Sequence, residues 1–318
     1  MRRVLLTGFS GFIGQHVTAP LRARGFEVHA LGRTKPRDPD VIFHQANLLD
    51  GVQTADAVQR VAATDLLHLA WAVPPGTFWR APSNLDWVAA SLGLIRGFAE
   101  AGGRRVVVAG TCAEYSWTTA RLKEGEAPYA PTSLYGASKD ALRRILAAYA
   151  STVGLSTAWA HVFFQFGPGE PTGRLVSGAA CALLAGKPFP TSHGRQRRDF
   201  LHVADVGEAF AAILDSQVQG AINIGSGRAV PIRELLNQLG RLTGRGDLIQ
   251  FDARPAVDGE PDLIEADVRR LREEVQFYPR HTLESGLQDT VAYWRSRMTN
   301  PPESDTPSRN QPLAALAQ

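Results

Sequence analysis

Thr7-Gly8-Phe9-Ser10-Gly11-Phe12-Ile13-Gly14 is the stretch on which the fold of this chain turns. It follows the strand-like run Arg3-Val4-Leu5-Leu6 and opens a segment of helical texture. Its three glycines meet three physical needs: a tight turn, close approach of backbone to a pyrophosphate, and close packing of helix on strand. The helix that follows presents its first amides and the positive end of its dipole to phosphate. A glycine triplet alone says little, but between a strand and a helix it points to a dinucleotide. A purely structural strand-to-helix turn is the alternative.

Outward from this loop, short apolar runs alternate with helical stretches, the pattern of a parallel sheet with crossover helices. Strands are expected at residues 3–7, 27–31, 66–69, 105–109 and 156–162, and helices beginning near Gly14, Leu85 and Leu134. In the segment 85–101, Val88, Leu92, Ile95, Phe98 and Ala99 recur at helical spacing and should face the sheet. Pro20 breaks the pattern of the first helix and should kink or shorten it. The fold class expected is α/β, a Rossmann-type doubly wound parallel sheet with a smaller C-terminal substrate-binding lobe. Residues 1–163 would form the nucleotide-binding domain, with later segments returning to it. From about Phe164 glycine and proline become frequent, and residues 164–299 read mainly as the second lobe, with helices at 204–214 and 231–243 around a strand-like 221–224. Residues 300–318 are polar and proline-rich, a composition that cannot bury enough surface to order itself.

The 318 residues suit one large α/β unit with a modest second lobe. Thirty-four basic and 31 acidic residues interleave to a net charge of +3, which argues against a nucleic-acid partner. The one tight basic cluster, Arg195, Arg197 and Arg198, suits a small polyanion better than a duplex; a solvated arginine turn is the alternative. Two distant cysteines, Cys112 and Cys181, build no disulfide framework and imply a reducing compartment. The first apolar run is too short for a signal-peptide core or a membrane span. A cytoplasmic protein without a membrane partner is therefore expected. The eight histidines show no metal-ligand spacing, so no metal is expected. His202, after Phe200-Leu201, reads as a hydrogen-bonded core or groove residue.

The second strand ends Leu31-Gly32-Arg33. A carboxylate here would accept from adenosine ribose hydroxyls and repel a 2′-phosphate. Gly32 obstructs nothing and Arg33 can pair a phosphate, which favours NADP(H), with NAD(H) possible and an ordinary surface role for Arg33 as the alternative. Further on, Tyr135-Gly136-Ala137-Ser138-Lys139 puts a phenol and an ammonium on one helix face. The cation should lower the phenol's pKa, making Tyr135 a proton donor to a carbonyl or acceptor from an alcohol.

With these residues in view, the chain resembles the extended short-chain dehydrogenase/reductases, and within them the NAD-dependent epimerase/dehydratase family, most of whose members act on nucleotide-activated sugars. Thr7–Gly14 matches the family's glycine fingerprint and Tyr135/Lys139 its Tyr-x-x-x-Lys pair. The likeness continues through Phe166-Gly167-Pro168-Gly169, Arg198-Asp199-Phe200-Leu201-His202, Asn223-Ile224-Gly225 and Glu265-Ala266-Asp267, covering about residues 3–297. It implies a catalytic triad of Thr111, Tyr135 and Lys139, with Thr111 as a mere strand-ending residue the alternative. It implies cofactor contacts at Gly8, Ser10, Gly11, Phe12, Ile13, Gly14, Arg33, Asn47, Leu48, Leu69, Ala70, Tyr135 and Lys139. It implies substrate contacts at Arg198, Arg254 and Gln165, and a homodimer formed by the helices at 85–101 and 134–150.

Three departures bear on the reaction. Asn47 stands where the family's usual Asp precedes the adenine-contacting Leu48, and Trp87 where an asparagine is common. Cys112-Ala113 follows Thr111 where 4,6-dehydratases carry Asp-Glu, and Glu114, one place on, should point away; this argues against a 4,6-dehydratase. Trp71 and Trp79, with Pro74-Pro75, divide between sugar-pocket wall and packing. Two enzyme readings remain: an NADPH-dependent 4-ketoreductase of a nucleotide-linked 4-keto-6-deoxyhexose, and a 4-epimerase with tightly held NAD. A reductase of another substrate stays open. A non-catalytic NADP-sensing module is the third class, but it would be expected to lose Tyr135 or Lys139.

Overall fold

Apolar residues two apart along each strand, with crossover helices between strands, close into a seven-stranded sheet with a hydrophobic layer on each face. The computed structural model describes residues 2–36, 38–118 and 121–299; the tail expected to be disordered, 300–318, lies outside the described residues. In chain order the strands are β1 (Arg2–Thr7), β2 (Phe26–Gly32), β3 (Ile42–Gln45), β4 (Asp65–His68), β5 (Arg105–Thr111), β6 (Arg121–Leu122), β7 (Ser156–Val162), β8 (Phe164–Phe166), β9 (Phe189–Pro190), β10 (Arg197–His202), β11 (Gly220–Ile224), β12 (Ala229–Pro231), β13 (Ile249–Gln250) and β14 (Leu263–Ala266). The helices are α1 (Thr18–Ala23), α2 (Gly51–Val61), α3 (Asn84–Glu100), α4 (Leu134–Val153), α5 (Leu175–Leu184), α6 (Val203–Asp215), α7 (Ile232–Thr243), α8 (Arg269–Glu273) and α9 (Leu283–Thr299).

The main sheet runs β11-β7-β5-β4-β1-β2-β3, every pair parallel. The chain moves outward from β1 to β3, then returns beside β1 with β4 and moves the other way. The crevice beyond β1 and β4 is thus the switch point, where such sheets bind ligands. Alternate residues feed opposite layers: Val4, Leu6 and Val107 pack on one side, and Leu5, Val106 and Val108 on the other. β11 and α6, from the second half of the chain, belong to this unit, β11 as its edge strand. The second sheet, β12-β10-β14-β6 with β8 on β10, in turn takes β6 from the first half. Helices α5, α7 and α9 pack together beside it through Val176, Leu183, Leu235, Leu239 and Leu287.

The first helix is short, but Pro20 costs it no hydrogen bond, contrary to expectation. A 3-10 turn, Gly14–His16, precedes a helix of only six residues. Pro20 is its third residue, within the first turn, where a missing N–H removes no helical bond. The long N-terminal helix implied by the sequence is absent here, and the phosphate cradle rests on the loop more than on a dipole. In α3 the buried stripe is Ser91, Leu94, Ile95 and Phe98. Val88 and Leu92 are half-buried, Leu92 at the margin of the core layer. Leu92 lines a groove against Ile145 and Tyr149 of α4. β3, α2 and α5 were not foreseen: the β3 run Ile-Phe-His-Gln is short and only partly apolar, and its burial pattern is shallow. Among the described residues no helix is long and apolar enough to cross a membrane.

Candidate active site

The loop after β1 needs its glycines. Gly8 has φ +76°, and a Cβ there would lie 2.6 Å from Ala70 N and 2.7 Å from Leu69 C. A Cβ on Gly14 would lie 2.1 Å from Gly8 O. The cradle is therefore a backbone surface pressed onto the end of β4, as the dinucleotide reading requires. Gly11 N–H closes the turn onto Gly8 O at 3.0 Å, while the Phe12 and Ile13 amides have no intramolecular acceptor among the described residues and are half-buried. Thr7 anchors the neighbouring segment: its carbonyl accepts from Leu69 N at 3.2 Å and its hydroxyl from Ala70 N at 3.4 Å. Behind it, Thr7 Oγ1, His68 and Ser91 form a buried chain at 2.7 and 2.9 Å. Burial holds His68 at about 3, well below its ordinary value, with the Lys139 charge adding to the effect.

Phe9 explains Gly32. Its ring is buried against Phe43, and a Cβ on Gly32 would come 2.8 Å from Phe9 Cε1. A phenyl ring thus fills the space beside the position where an acid would have to stand. Arg33 beyond it is exposed and makes no hydrogen bond or ion pair with another described residue. Lys35, also exposed, is a second cation in this loop, unmarked by any motif. Asn47 and Leu48 reach the same edge, since Ala46 N donates to Gly32 O at 2.9 Å. The Asn47 side-chain oxygen accepts from Leu49 N at 3.2 Å.

Thr111 closes β5, and Tyr135 and Lys139 lie one turn apart at the start of α4, whose N-cap Ser133 accepts from Gly136 N at 3.1 Å. The structure brings the three together. Tyr135 and Lys139 are both buried, and the Thr111 hydroxyl acts to lower the Tyr135 pKa. Lys139 Nζ donates to Ala109 O at 2.8 Å and sits 3.9 Å above the Trp71 ring. Electrostatics here depart from the sequence expectation. Burial pushes the Tyr135 phenol above its usual range, the Glu114 charge adds to this, and the Thr111 hydroxyl only partly offsets it. Burial likewise lowers Lys139 to about 7, against the opposing pull of Glu114. Both groups have lost water, and desolvation disfavours each charged form more than the neighbouring ammonium favours the phenolate.

Glu114 points away from the cleft, as expected, but has work there. Fully buried, it accepts from Thr111 N at 2.7 Å and from Trp159 Nε1 at 2.9 Å, with Arg143 at 3.6 Å and His161 at 3.2 Å. It thereby fixes the backbone of Thr111 from beneath. Cys112 lies in the place of a dehydratase acid; burial pushes its thiol up to about 12, so it is a neutral group at pH 7.

On the substrate side the three arginines do not converge. β10 alternates, so Arg198 turns inward and is buried while Arg197 is exposed, and Arg195 is exposed in the preceding turn. Arg198 is also engaged. It donates to Glu260 Oε1 at 2.5 Å, Pro261 O at 2.8 Å and Arg197 O at 2.9 Å. Burial lowers its pKa, and Glu260 opposes this. Arg254 is half-buried on the same loop as Glu260, its N–H on Thr191 O at 3.1 Å. Gln165 sits in β8 opposite Leu201 of β10. Glu260 escaped the sequence reading, and Gly259-Glu260-Pro261 ahead of β14 was its one signal.

His202 is buried, yet neither ring nitrogen makes a hydrogen bond. The Asp289 carboxylate lies at 3.3 Å and the His281 ring packs at 4.1 Å. The hydrogen-bonded role expected of it is not seen. His202, Asp205 and His281 bring ligand-type atoms within 4.8 Å of one another, a grouping that sequence spacing did not suggest. The Asp205 carboxylate already accepts from Arg280 N, His281 N and His281 Nδ1, each at 3.0 Å.

Comparison with known proteins places the chain in a family. The model of the NAD dependent epimerase/dehydratase family matches residues 4–225. The chain belongs to that family. As a member it is an NAD(P)-dependent oxidoreductase or epimerase of the short-chain dehydrogenase type. It is similar to the UDP-glucose 4-epimerase of Azospirillum brasilense, 27% identical over 92% of this chain and 91% of that protein. Among solved structures it resembles the Thermotoga maritima UDP-glucose 4-epimerase with UDP-glucose, with a TM-score of 0.84, 22% identity, and coverage of 93% of this chain and 99% of that one. It also resembles the Thermus thermophilus UDP-glucose 4-epimerase in complex with NAD, with a TM-score of 0.79, 26% identity, and coverage of 92% and 99%.

Proposed function

We propose that this family member reduces a nucleotide-linked 4-keto-6-deoxyhexose with NADPH. The observation that carries the reading is the placement of Tyr135, buried beside Thr111 at the carboxyl end of the sheet and next to a backbone cradle fitted to a dinucleotide. Held above its ordinary pKa, the phenol is neutral at pH 7 and keeps its proton until an oxyanion develops nearby. It then gives that proton to the sugar O4, while the Thr111 hydroxyl holds the same oxygen. Lys139, close to half protonated near neutral pH, supplies positive charge to the phenolate that forms. When bound, NADPH supplies the hydride to C4. One hydride and one proton turn the ketone into an alcohol.

The NADPH preference rests on the Phe9–Gly32 contact, which leaves no room for an acid, and on the exposed Arg33. Gly8, Ser10, Gly11, Phe12, Ile13, Gly14, Asn47, Leu48, Leu69 and Ala70 would complete the cofactor's surroundings. The substrate diphosphate would meet Arg198, exchanging with the Glu260 carboxylate, with Arg254 and Gln165 nearby. A homodimer is part of the proposal: a groove of about 340 Å³ between α3 and α4 is lined by Leu92, Ile95, Ile145 and Tyr149. So is a cytoplasmic location, in keeping with two unpaired cysteines.

A second reading, 4-epimerisation with NAD, is favoured by the names of the relatives and by the NAD in the Thermus thermophilus complex. The test is incubation with a panel of nucleotide 4-keto-sugars and NADPH, following absorbance and product, beside a second panel of nucleotide sugars and NAD. Consumption of NADPH with formation of a 4-hydroxy sugar supports reduction. Interconversion of 4-epimers with no net change in cofactor replaces it with the second reading.

A further inference from the structure

Tyr135 is faced by three aromatic rings for which the proton transfer above has no use. Phe78, Trp79 and Trp71 stand nearly perpendicular to the Tyr135 ring at 4.9, 5.8 and 6.3 Å between centroids. Phe78 and Trp79 also lie on each other at 4.4 Å. All three come from the segment between β4 and α3, and Asn84 binds that segment into one piece. Only 1% exposed, Asn84 donates to Phe78 O and Ala81 O at 2.8 Å and accepts from Trp71 Nε1 at 2.8 Å. Trp71 stacks in turn on Trp87, and Pro75 packs on Gly173, where an added Cβ would come within 3.0 Å. Yet the three rings are only half-buried. They form a braced wall with apolar surface left over beside the reacting group.

We propose that this wall selects the substrate by reading an unhydroxylated group borne by the neighbour of the reacting carbon, the C6 methyl of a 6-deoxyhexose. The inference rests on the nucleotide-sugar reading above and assigns to Trp71, Phe78 and Trp79 the recognition of the missing hydroxyl. A C4 oxygen within reach of the Tyr135 hydroxyl places C5, and the C6 group it bears, beside the rings around the phenol. A methyl there gains contact with aromatic carbon. A hydroxyl there leaves water and meets mostly carbon, because Phe78 has no polar atom, the Trp71 N–H is taken by Asn84, and the Trp79 N–H is the one donor left on the three rings. Such pockets discriminate by roughly ten- to a hundred-fold.

The experiment is a calorimetric titration of the NADPH-saturated protein with three ligands on one nucleoside diphosphate: the 6-deoxy form of a hexose, its 6-hydroxy form, and the free diphosphate. Uridine, thymidine, cytidine and guanosine series are run in parallel. Expected is binding of the free diphosphate and a preference of about ten-fold or more for the 6-deoxy sugar. Phe78→Ser and Trp79→Gln should each bring that preference towards one while leaving the free diphosphate unaffected, which also shows that the variants fold. If the wild type binds both sugars alike, or if neither variant changes their ratio, the wall has no such role, and continued diphosphate binding shows that the nucleotide-sugar reading stands without it. If no diphosphate binds in any series, the nucleotide-sugar reading falls, and the inference with it.

Discussion

Under the proposed function, the glycine loop and the arginine strand would offer positive charge to phosphates in opposite ways. At the loop the donors are backbone amides, left unpaired because Gly8 and Gly14 let the chain fold onto β4 with no side chain between. At β10 the donor is one side chain, Arg198, 4% exposed and already satisfied by Glu260, Pro261 O and Arg197 O. The first site is finished before a ligand arrives. To bind a substrate diphosphate as proposed, the second would trade an internal carboxylate for an external anion, so its affinity would be a difference between two ion pairs. Lost cradle geometry should therefore abolish binding, whereas changes around Arg198 should tune it.

The largest effect expected lies at the proposed proton donor. Tyr135→Phe should lower turnover at least ~100-fold, the range of general acid catalysis, while the NADPH dissociation constant barely moves. Kinetics and cofactor titration on the same protein check this, and near wild-type turnover would remove Tyr135 from the mechanism. Next, Arg198→Ala should raise KM for nucleotide sugars about 10- to 100-fold, the worth of a charge-assisted pair, with NADPH affinity unchanged. A matching loss of NADPH affinity would erase the contrast between the two regions.

The cofactor edge sharpens the comparison from the other side. Gly32→Asp alone should lower stability by ~1–3 kcal/mol, because its Cβ overlaps the Phe9 ring. Joined to Phe9→Gly, the same aspartate should fit and turn preference from NADPH to NADH. Thermal unfolding and the two dissociation constants report both effects, and a double variant that still prefers NADPH would show that the ring has no part in selection.

The smallest effect is a slope. Lys139 sits at about 7 in the fold against an ordinary 10.5. Between those values the unfolded chain holds a proton that the folded chain lacks, so this group makes stability rise with pH across that window and adds no slope below it. The melting temperature of wild type minus that of Lys139→Met, both without cofactor, should rise from pH 7 to pH 10. A flat difference would mean that Lys139 titrates near its ordinary value.

The same contrast explains what could be read from the sequence. The glycine loop and the Tyr135/Lys139 pair are local patterns whose spacing carries their geometry, and so are the alternating strands. Gly32 was seen as an absence, but its cause, Phe9, lies 23 positions earlier and becomes visible only when β1 and β2 pair. Arg198 was seen, and Glu260, 62 residues on, was not. The arginine cluster misled because neighbours in sequence face opposite sides of a strand. The expected lowering of the Tyr135 pKa followed from adjacency alone, while the outcome is set by burial, which no spacing reports.

The central claim is that hydride and proton meet on a nucleotide-linked ketone at Tyr135. It is tested most directly with NADPH carrying deuterium at the transferable position, supplied with nucleotide 4-keto-6-deoxyhexoses, the product being read by mass spectrometry and NMR. The prediction is one deuterium at C4 of the sugar for each NADPH oxidised, with incorporation lost in Tyr135→Phe. No label in any sugar of the panel, with NADPH intact, would contradict it.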